Sequence, residues 1–156
     1  MPIVVMGRLA RVVVPGLPHR VTQRGNGGAR TFFRDEDYAF YKDLLARHAQ
    51  EAGVEVPAWV LMPNPVHRIL NPADPDGLRR ALSKIHRTYA GYIHAQKKKT
   101  GHFWRGCAGA VVMDEAHLGA ALRTVALDPL RARLARRAQD GRWSSARAHL
   151  RGEPDV

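Results

Sequence analysis

The sequence has 156 residues, of which 25 are Lys or Arg and 14 are Asp or Glu, so its formal net charge is +11. With 45% hydrophobic residues the chain can bury a core, which argues against a disordered basic tail. The lone cysteine, Cys107, excludes an intramolecular disulfide framework and a CxxC zinc site. The excess of positive charge favours a polyanion partner.

Strand and helix patterns alternate along the chain. Alternating and β-branched runs predict strands, and apolar residues three and four apart predict helices. In chain order the predicted elements are a strand at 19–24, a helix at 35–52, strands at 54–62 and 66–70, a helix at 77–98, a strand at 109–113, and helices at 115–127, 130–138 and 144–150. Asp35, Asp76 and Asp114 are the expected helix caps, and Asp128-Pro129 is the expected stop of the 115–127 helix.

This order of elements predicts an α+β fold. We expect a ferredoxin-like antiparallel sheet with helices on one face, followed by short C-terminal helices. Residues 1–14 carry Arg8 and Arg11 inside an apolar stretch and match neither a signal peptide nor a membrane span. We therefore expect one domain over residues 1–156, located in the cytoplasm and without a membrane partner.

The charges are segregated along the sequence. Residues 35–76 hold eight acids and three bases, whereas residues 77–110 hold eight bases and no acid. Another eight bases lie within residues 123–151, and 20 of the 25 bases in the chain are arginines. The planar guanidinium suits bidentate contact with phosphate, although a high-GC coding bias would also favour arginine on any solvated surface.

Several short motifs occur in an order that resembles one known family. The run Leu-Met-Pro-Asn-Pro-Val-His-Arg-Ile at 61–69 is similar to the L-M-P-N-H-V-H-L-I strand of REP-associated tyrosine transposases, which are single-tyrosine HUH transposases. The accompanying motifs are Val-Pro-Gly at 14–16, Val-Thr-Gln-Arg-Gly-Asn at 21–26, Thr-Phe-Phe at 31–33, Gly-His-Phe-Trp at 101–104, Asp-Pro-Leu-Arg-Ala at 128–132 and Trp-Ser-Ser-Ala at 143–146. Together they span nearly the whole chain.

The resemblance implies a domain that cleaves and rejoins hairpin-forming single-stranded DNA through a phosphotyrosine intermediate, with Mg or Mn as its metal. In that family, two histidines on one strand and an Asn or Gln on a helix hold the metal. Pro65 stands at the position of the first histidine, and His67 stands at the second. Thr124 occupies the position of the tyrosine nucleophile, and Asp128 occupies the position of the third ligand.

A set of basic and aromatic residues is expected to contact single-stranded or hairpin DNA, and a homodimer is left open. These residues are Arg24, Arg79, Arg80, Arg87, Lys97, Lys98, Lys99, His102, Trp104 and Arg105. Cations beside aromatic rings suit single-stranded bases. The alternatives are a solvated helix end for the lysine run and a packing role for Phe103 and Trp104.

Three functions remain open at this point: a working transposase, a DNA-binding protein without catalysis, and a third reading as a decayed protein without a selected role or a basic protein associated with RNA or the ribosome. Loss of both the nucleophile and a direct metal ligand argues against normal catalysis. Arg68 replaces an aliphatic residue on the face opposite His67, where a guanidinium without a partner would be costly. We also expect Pro65 to occupy a ladder position, so both residues should weaken the β-hairpin.

Overall fold

The computed structural model describes residues 3–5, 12–106, 108–153 and 155–156. Arg8, Arg11 and Cys107 lie outside these residues. The strands are β1 (Ile3–Val5), β2 (His19–Gln23), β3 (Val54–Leu61), β4 (Val66–Pro72) and β5 (Gly109–Val112). The helices are α1 (Asp35–Glu51), α2 (Gly77–Lys97), α3 (Glu115–Arg131) and α4 (Ala146–Arg151). Across the described ranges, every helix is too short or too polar to cross a membrane.

The described strands form one antiparallel sheet in the order β1-β5-β2-β4-β3. From β2 onward the elements follow the order of a ferredoxin-like fold, strand, helix, strand, strand, helix, strand. In the central ladder, Thr22 of β2 lies opposite His67 of β4, and Val21 lies opposite Arg68. The predicted α+β class, with its antiparallel sheet and helices, is confirmed.

Alternate residues of β3 and β4 point to opposite faces of the sheet. Leu61 and Leu70 belong to the larger core cluster, which they share with apolar residues of α1 and α2. Val60 and Ile69 belong to a smaller cluster that includes Val125 of α3. Helices α1 and α2 therefore cover one face as predicted. Helix α3 packs on the other face, and the prediction that helices cover one face alone is wrong. The reason is that the strands carry apolar residues on both sides.

Helix α3 is longer than predicted. Asp114 caps its start by accepting a hydrogen bond from the His117 backbone N–H at 2.9 Å. The predicted stop at Asp128-Pro129 is wrong, since the helix continues to Arg131 with Pro129 buried inside it. The Asp128 and Pro129 carbonyls accept hydrogen bonds from the backbone N–H groups of Ala132 and Leu134, at 2.9 and 2.8 Å. These bonds close the last turn.

The predicted helix at 130–138 is also absent. Its first two residues complete α3, and a turn leads from there to a short 3-10 helix at Ala138–Asp140. The helix predicted at 144–150 is present as α4.

The β3–β4 hairpin is intact at both unusual residues. Pro65 lies in the turn, outside the first ladder pair of Leu61 with Val66, so it removes no ladder hydrogen bond and the expected ladder position is wrong. The Arg68 side chain is fully buried, and its Nη1 donates to the Tyr41 hydroxyl at 2.6 Å and to His86 Nε2 at 3.0 Å. Arg68 Nη1 therefore has hydrogen-bond partners on two helices, α1 and α2.

Candidate functional site

His67 of β4 and Asp128 of α3 lie side by side on the α3 face of the sheet. His67 Nε2 is 3.8 Å from Asp128 Oδ2, and each side chain is 12% exposed. The strand places His67 on this face because it alternates with the core residues Val66 and Arg68, which point the other way. The last turns of α3 bring Asp128 across the strand. The structure thus joins two of the residues predicted as metal ligands.

Thr22 fixes the orientation of the His67 ring. The Thr22 hydroxyl is 3.1 Å from His67 Nδ1, across the β2–β4 ladder. Burial, together with the positive charges of Arg20, Arg24 and Arg68, lowers the pKa of His67 to about 4. The imidazole is therefore neutral at pH 7, so its contact with Asp128 is not an ion pair. A proton on Nδ1 that is donated to Thr22 leaves the Nε2 lone pair facing Asp128.

Asp128 presents a buried oxygen to this lone pair. Burial raises the pKa of its carboxyl group, and the nearby Arg20 and Arg131 act in the opposite direction. Within the described ranges, Asp128 Oδ2 is buried and has no hydrogen-bond partner. A carboxylate oxygen and an imidazole nitrogen that face each other in this way fit a divalent cation such as Mg or Mn.

The donor set is small. No group of three or more His, Cys, Asp or Glu side chains suited to a metal occurs in the described part of the chain. The fit is therefore to an ion with two protein ligands, His67 and Asp128, whose other positions would take water or phosphate oxygens.

The remaining positions implied by the family resemblance supply no comparable chemistry. Thr124 lies one helical turn before Asp128, and its hydroxyl donates to the Ala120 carbonyl of the same helix at 3.0 Å. Its proton is thus held by a backbone oxygen and not by a general base. Pro65 has no ligating atom in its side chain. It lines a cavity of about 440 Å³ together with Asp128.

Cations surround the His67 and Asp128 pair at one end of the sheet. Arg24 follows β2 directly, and its carbonyl accepts a hydrogen bond from the Arg105 N–H at 2.8 Å. Thr22, Arg24, Arg105 and Gly109 line a cavity of about 340 Å³. Arg20 and Arg131 were not predicted as site residues. For Arg20 the signal was available, because residues 20, 22 and 24 of a strand share one face.

The lysine run belongs to this same end of the molecule. Lys97 ends α2, and its Nζ lies 4.2 Å from the centroid of the exposed Phe33 ring. Lys98, Lys99 and His102 follow in an exposed loop. This loop is tied to the end of β2 by a hydrogen bond from Asn26 N–H to the Phe103 carbonyl at 2.9 Å. We call Arg24, Lys97, Lys98, Lys99, His102 and Arg105 the basic end.

Three of the predicted DNA contacts lie elsewhere. Arg79 and Arg80 are at the start of α2, at the opposite end of that helix from Lys97, and they lie 3.6 and 2.6 Å from carboxylate oxygens of Asp76 and Asp74. Arg87 is exposed in the middle of α2, which covers the sheet face opposite His67.

Trp104 takes the position of a packing anchor. Its indole N–H donates to the His86 carbonyl at 3.1 Å, and its ring centroid lies 4.9 Å from that of Phe103. The ring packs against the larger core cluster. This placement matches the alternative in which Trp104 packs against the core. The ring remains partly exposed, and its contact with DNA stays a prediction.

Comparisons with known proteins establish the fold. No protein-family model and no curated protein matches this sequence. The solved structure of a REP-associated tyrosine transposase bound to a REP hairpin is similar, with a TM-score of 0.75 and 16% identity, over 96% of this chain and 88% of that one. A candidate transposase from Deinococcus radiodurans R1 is similar with a TM-score of 0.53 and 22% identity, over 76% of this chain and 94% of that one. The resemblance found in the sequence is thereby confirmed at the level of the fold.

Proposed function

We propose that this protein binds hairpin-forming single-stranded DNA at its basic end and does not cleave it through a phosphotyrosine. The observation that carries the proposal is that His67 and Asp128 lie side by side next to the basic end. Asp128 is on α3, the helix on which Thr124 occupies the position of the family nucleophile. The arrangement has cations that would bind a phosphate backbone. It has no tyrosine at the position of the family nucleophile to attack that backbone.

Electrostatics support DNA binding at this end. Arg24 and Arg105 are exposed and line the 340 Å³ cavity, and Lys97 at the end of α2 and Lys98 and Lys99 in the following loop are exposed as well. Contacts of Lys and Arg with phosphates release counterions and make affinity fall steeply with salt. The fold is that of a protein whose structure contains a bound REP hairpin. We extend that type of partner to this chain as part of the proposal.

The chemistry at Thr124 and Pro65 supports binding without cleavage. A threonine hydroxyl is less acidic than a phenol, and the one on α3 is hydrogen-bonded to the Ala120 carbonyl. A divalent ion held by His67 and Asp128 would neutralise phosphate charge when bound. His67 and Asp128 would orient a phosphate, yet no tyrosine occupies the position from which the family nucleophile attacks. Loss of a nucleophile alone costs several orders of magnitude in rate.

A decayed protein is the second candidate function, and the hydrogen bonds of Arg68 count against it. Its guanidinium is bonded to the Tyr41 hydroxyl and to His86 Nε2. Pro65 leaves the β-hairpin ladder complete. A complete ladder and a buried cation that is bonded to two helices both support a stable fold.

The test is a binding measurement by fluorescence anisotropy at several NaCl concentrations. The probes are a hairpin oligonucleotide with a single-stranded tail and a duplex of equal length. We expect tighter binding to the hairpin, and an affinity that falls as salt rises. The double variant R24A/R105A should bind weakly, whereas R79A/R80A serves as the matched control at the start of α2, away from the basic end. Equal affinity for the two probes would reduce the interaction to general attraction for polyanions and contradict the proposal.

A further inference from the structure

A cavity of about 440 Å³ opens next to Asp128, between the turn that joins β3 to β4 and the turn that follows α3. Its volume falls in the range of about 300–1,000 Å³ that is typical of small-molecule sites. Its walls combine apolar groups with a few polar ones. The residues that matter here are Met62, Asn64, Pro65, Asp128, Arg131 and Leu134.

Leu134 forms an apolar wall of this cavity while remaining 54% exposed. Its position is fixed by the backbone, because the N–H groups of Leu134 and Ala135 both donate to the Pro129 carbonyl, at 2.8 and 3.3 Å. A leucine held in place beside a cavity offers apolar surface that a ligand could cover.

Pro65 forms the facing apolar wall. The proline ring stands where the family resemblance places a metal-binding imidazole, so an apolar ring lines the cavity at the position of a ligand. Next to it, Asn64 uses its side-chain oxygen to accept a hydrogen bond from the Gly25 N–H at 3.2 Å. Its amide N–H groups are the donors that remain for a polar edge inside the cavity.

The charges around the cavity indicate what kind of molecule fits. The exposed Arg131 lines this cavity. The 340 Å³ cavity, which Arg24 and Arg105 line, lies on the other side of His67. Thr22 lines that cavity too, and its hydroxyl is hydrogen-bonded to the His67 ring. A phosphate chain that runs along these arginines would pass the His67 and Asp128 pair and bring an apolar, flat group to the 440 Å³ cavity. The larger cavity of about 870 Å³ is lined by Glu55 and Asp155 and by no Lys or Arg, so it would repel such a chain.

We infer that the cavity between Pro65 and Leu134 holds one unpaired nucleobase of a single-stranded DNA, with Arg131 on the adjoining phosphate. The inference rests on the proposed function and names the part of the DNA that enters the site. The base packs against Pro65 and Leu134, and its polar edge meets Asn64. A base that is stacked within a duplex cannot enter, so the pocket selects single-stranded substrate.

The test compares two labelled strands of equal charge, a twelve-nucleotide oligo-dT and a twelve-unit abasic backbone. Wild-type protein should bind oligo-dT about tenfold more tightly than the abasic strand, a difference of about 1.4 kcal/mol. Leu134→Asn, which is neutral and similar in size, should lose most of this preference by weakening only oligo-dT binding. Leu150→Asn is the matched control at another exposed leucine, which is 66% exposed and lines a different cavity. Arg131→Ala should weaken both strands equally.

Each outcome separates the inference from the proposed function. Equal wild-type affinity for the two strands, with binding still sensitive to salt, overturns the base pocket and leaves the proposed DNA binding in place. A loss of preference in Leu150→Asn as large as in Leu134→Asn also overturns it. Absence of binding to hairpin, oligo-dT and abasic strands overturns the proposed function and the pocket together.

Discussion

The two faces of the sheet differ in how their unusual polar residues are accommodated. On the face covered by α1 and α2, the buried Arg68 donates to the Tyr41 hydroxyl and to His86. On the α3 face, Asp128 Oδ2 is buried without a hydrogen-bond partner in the described part of the chain, and Pro65 offers no atom to a metal beside it. The buried guanidinium thus donates hydrogen bonds to two helices, whereas the buried carboxylate oxygen has no hydrogen-bond partner among the described residues.

The largest expected effect tests the α1 and α2 face. Arg68→Ala should lower the free energy of unfolding by about 3 kcal/mol, because it leaves a cavity and removes the donor shared by Tyr41 and His86. Urea denaturation measures the change. Arg87→Ala, at an exposed position of α2, is the control and should alter stability by less than about 0.5 kcal/mol. A loss in Arg68→Ala no larger than in the control would show that the buried bonds do not support the fold.

The second effect concerns the α3 face. Mn²⁺ at ten times its dissociation constant should stabilise the wild-type protein by about 1.4 kcal/mol, and Asp128→Asn should abolish this gain. Thermal unfolding with and without MnCl₂ measures it. Asp140→Asn, whose carboxylate is paired with Arg137 at 2.9 Å, is the matched control and should keep the gain. If Asp128→Asn is stabilised by Mn²⁺ as much as the wild-type protein, the Asp128 carboxylate is not a ligand of the metal.

The smallest effect compares the basic end with the start of α2. Arg24→Ala should weaken binding of the hairpin oligonucleotide about fivefold and lower the salt slope by about one. Arg79→Ala should change neither quantity, because Arg79 lies at the other end of α2, 3.6 Å from a carboxylate oxygen of Asp76. Anisotropy titrations in NaCl distinguish the two variants. Equal losses would mean that the basic end has no special role.

The sequence predicts most of the fold because its local signals agree with the tertiary structure. Strand alternation and the Asp114 cap both lead to elements that are present. The end of α3 was missed because Pro129 normally stops a helix, whereas here its burial and the bonds of the following turn hold it inside one. The second covered face was missed because the order of elements does not say on which side of a sheet a helix packs.

The site was predictable only in part. The motif resemblance identified His67 and Asp128, which the structure brings to 3.8 Å. It could not identify the partners of Arg68, since Tyr41 and His86 are on separate helices and only the packed fold brings them to one guanidinium. Trp104 was placed among the DNA contacts because cations flank it in the sequence, and its partly exposed ring packs against the larger core cluster.

The most direct test of the central claim is a denaturing gel that detects covalent protein–DNA adducts. The parent protein and the double variant P65H/T124Y are incubated with a labelled hairpin oligonucleotide and MnCl₂. The parent should give no adduct, and the double variant should give one, because the variant places an imidazole and a phenol at the family positions of a fold that we propose binds DNA. An adduct formed by the parent would contradict the claim that binding persists here without the chemistry of strand cleavage.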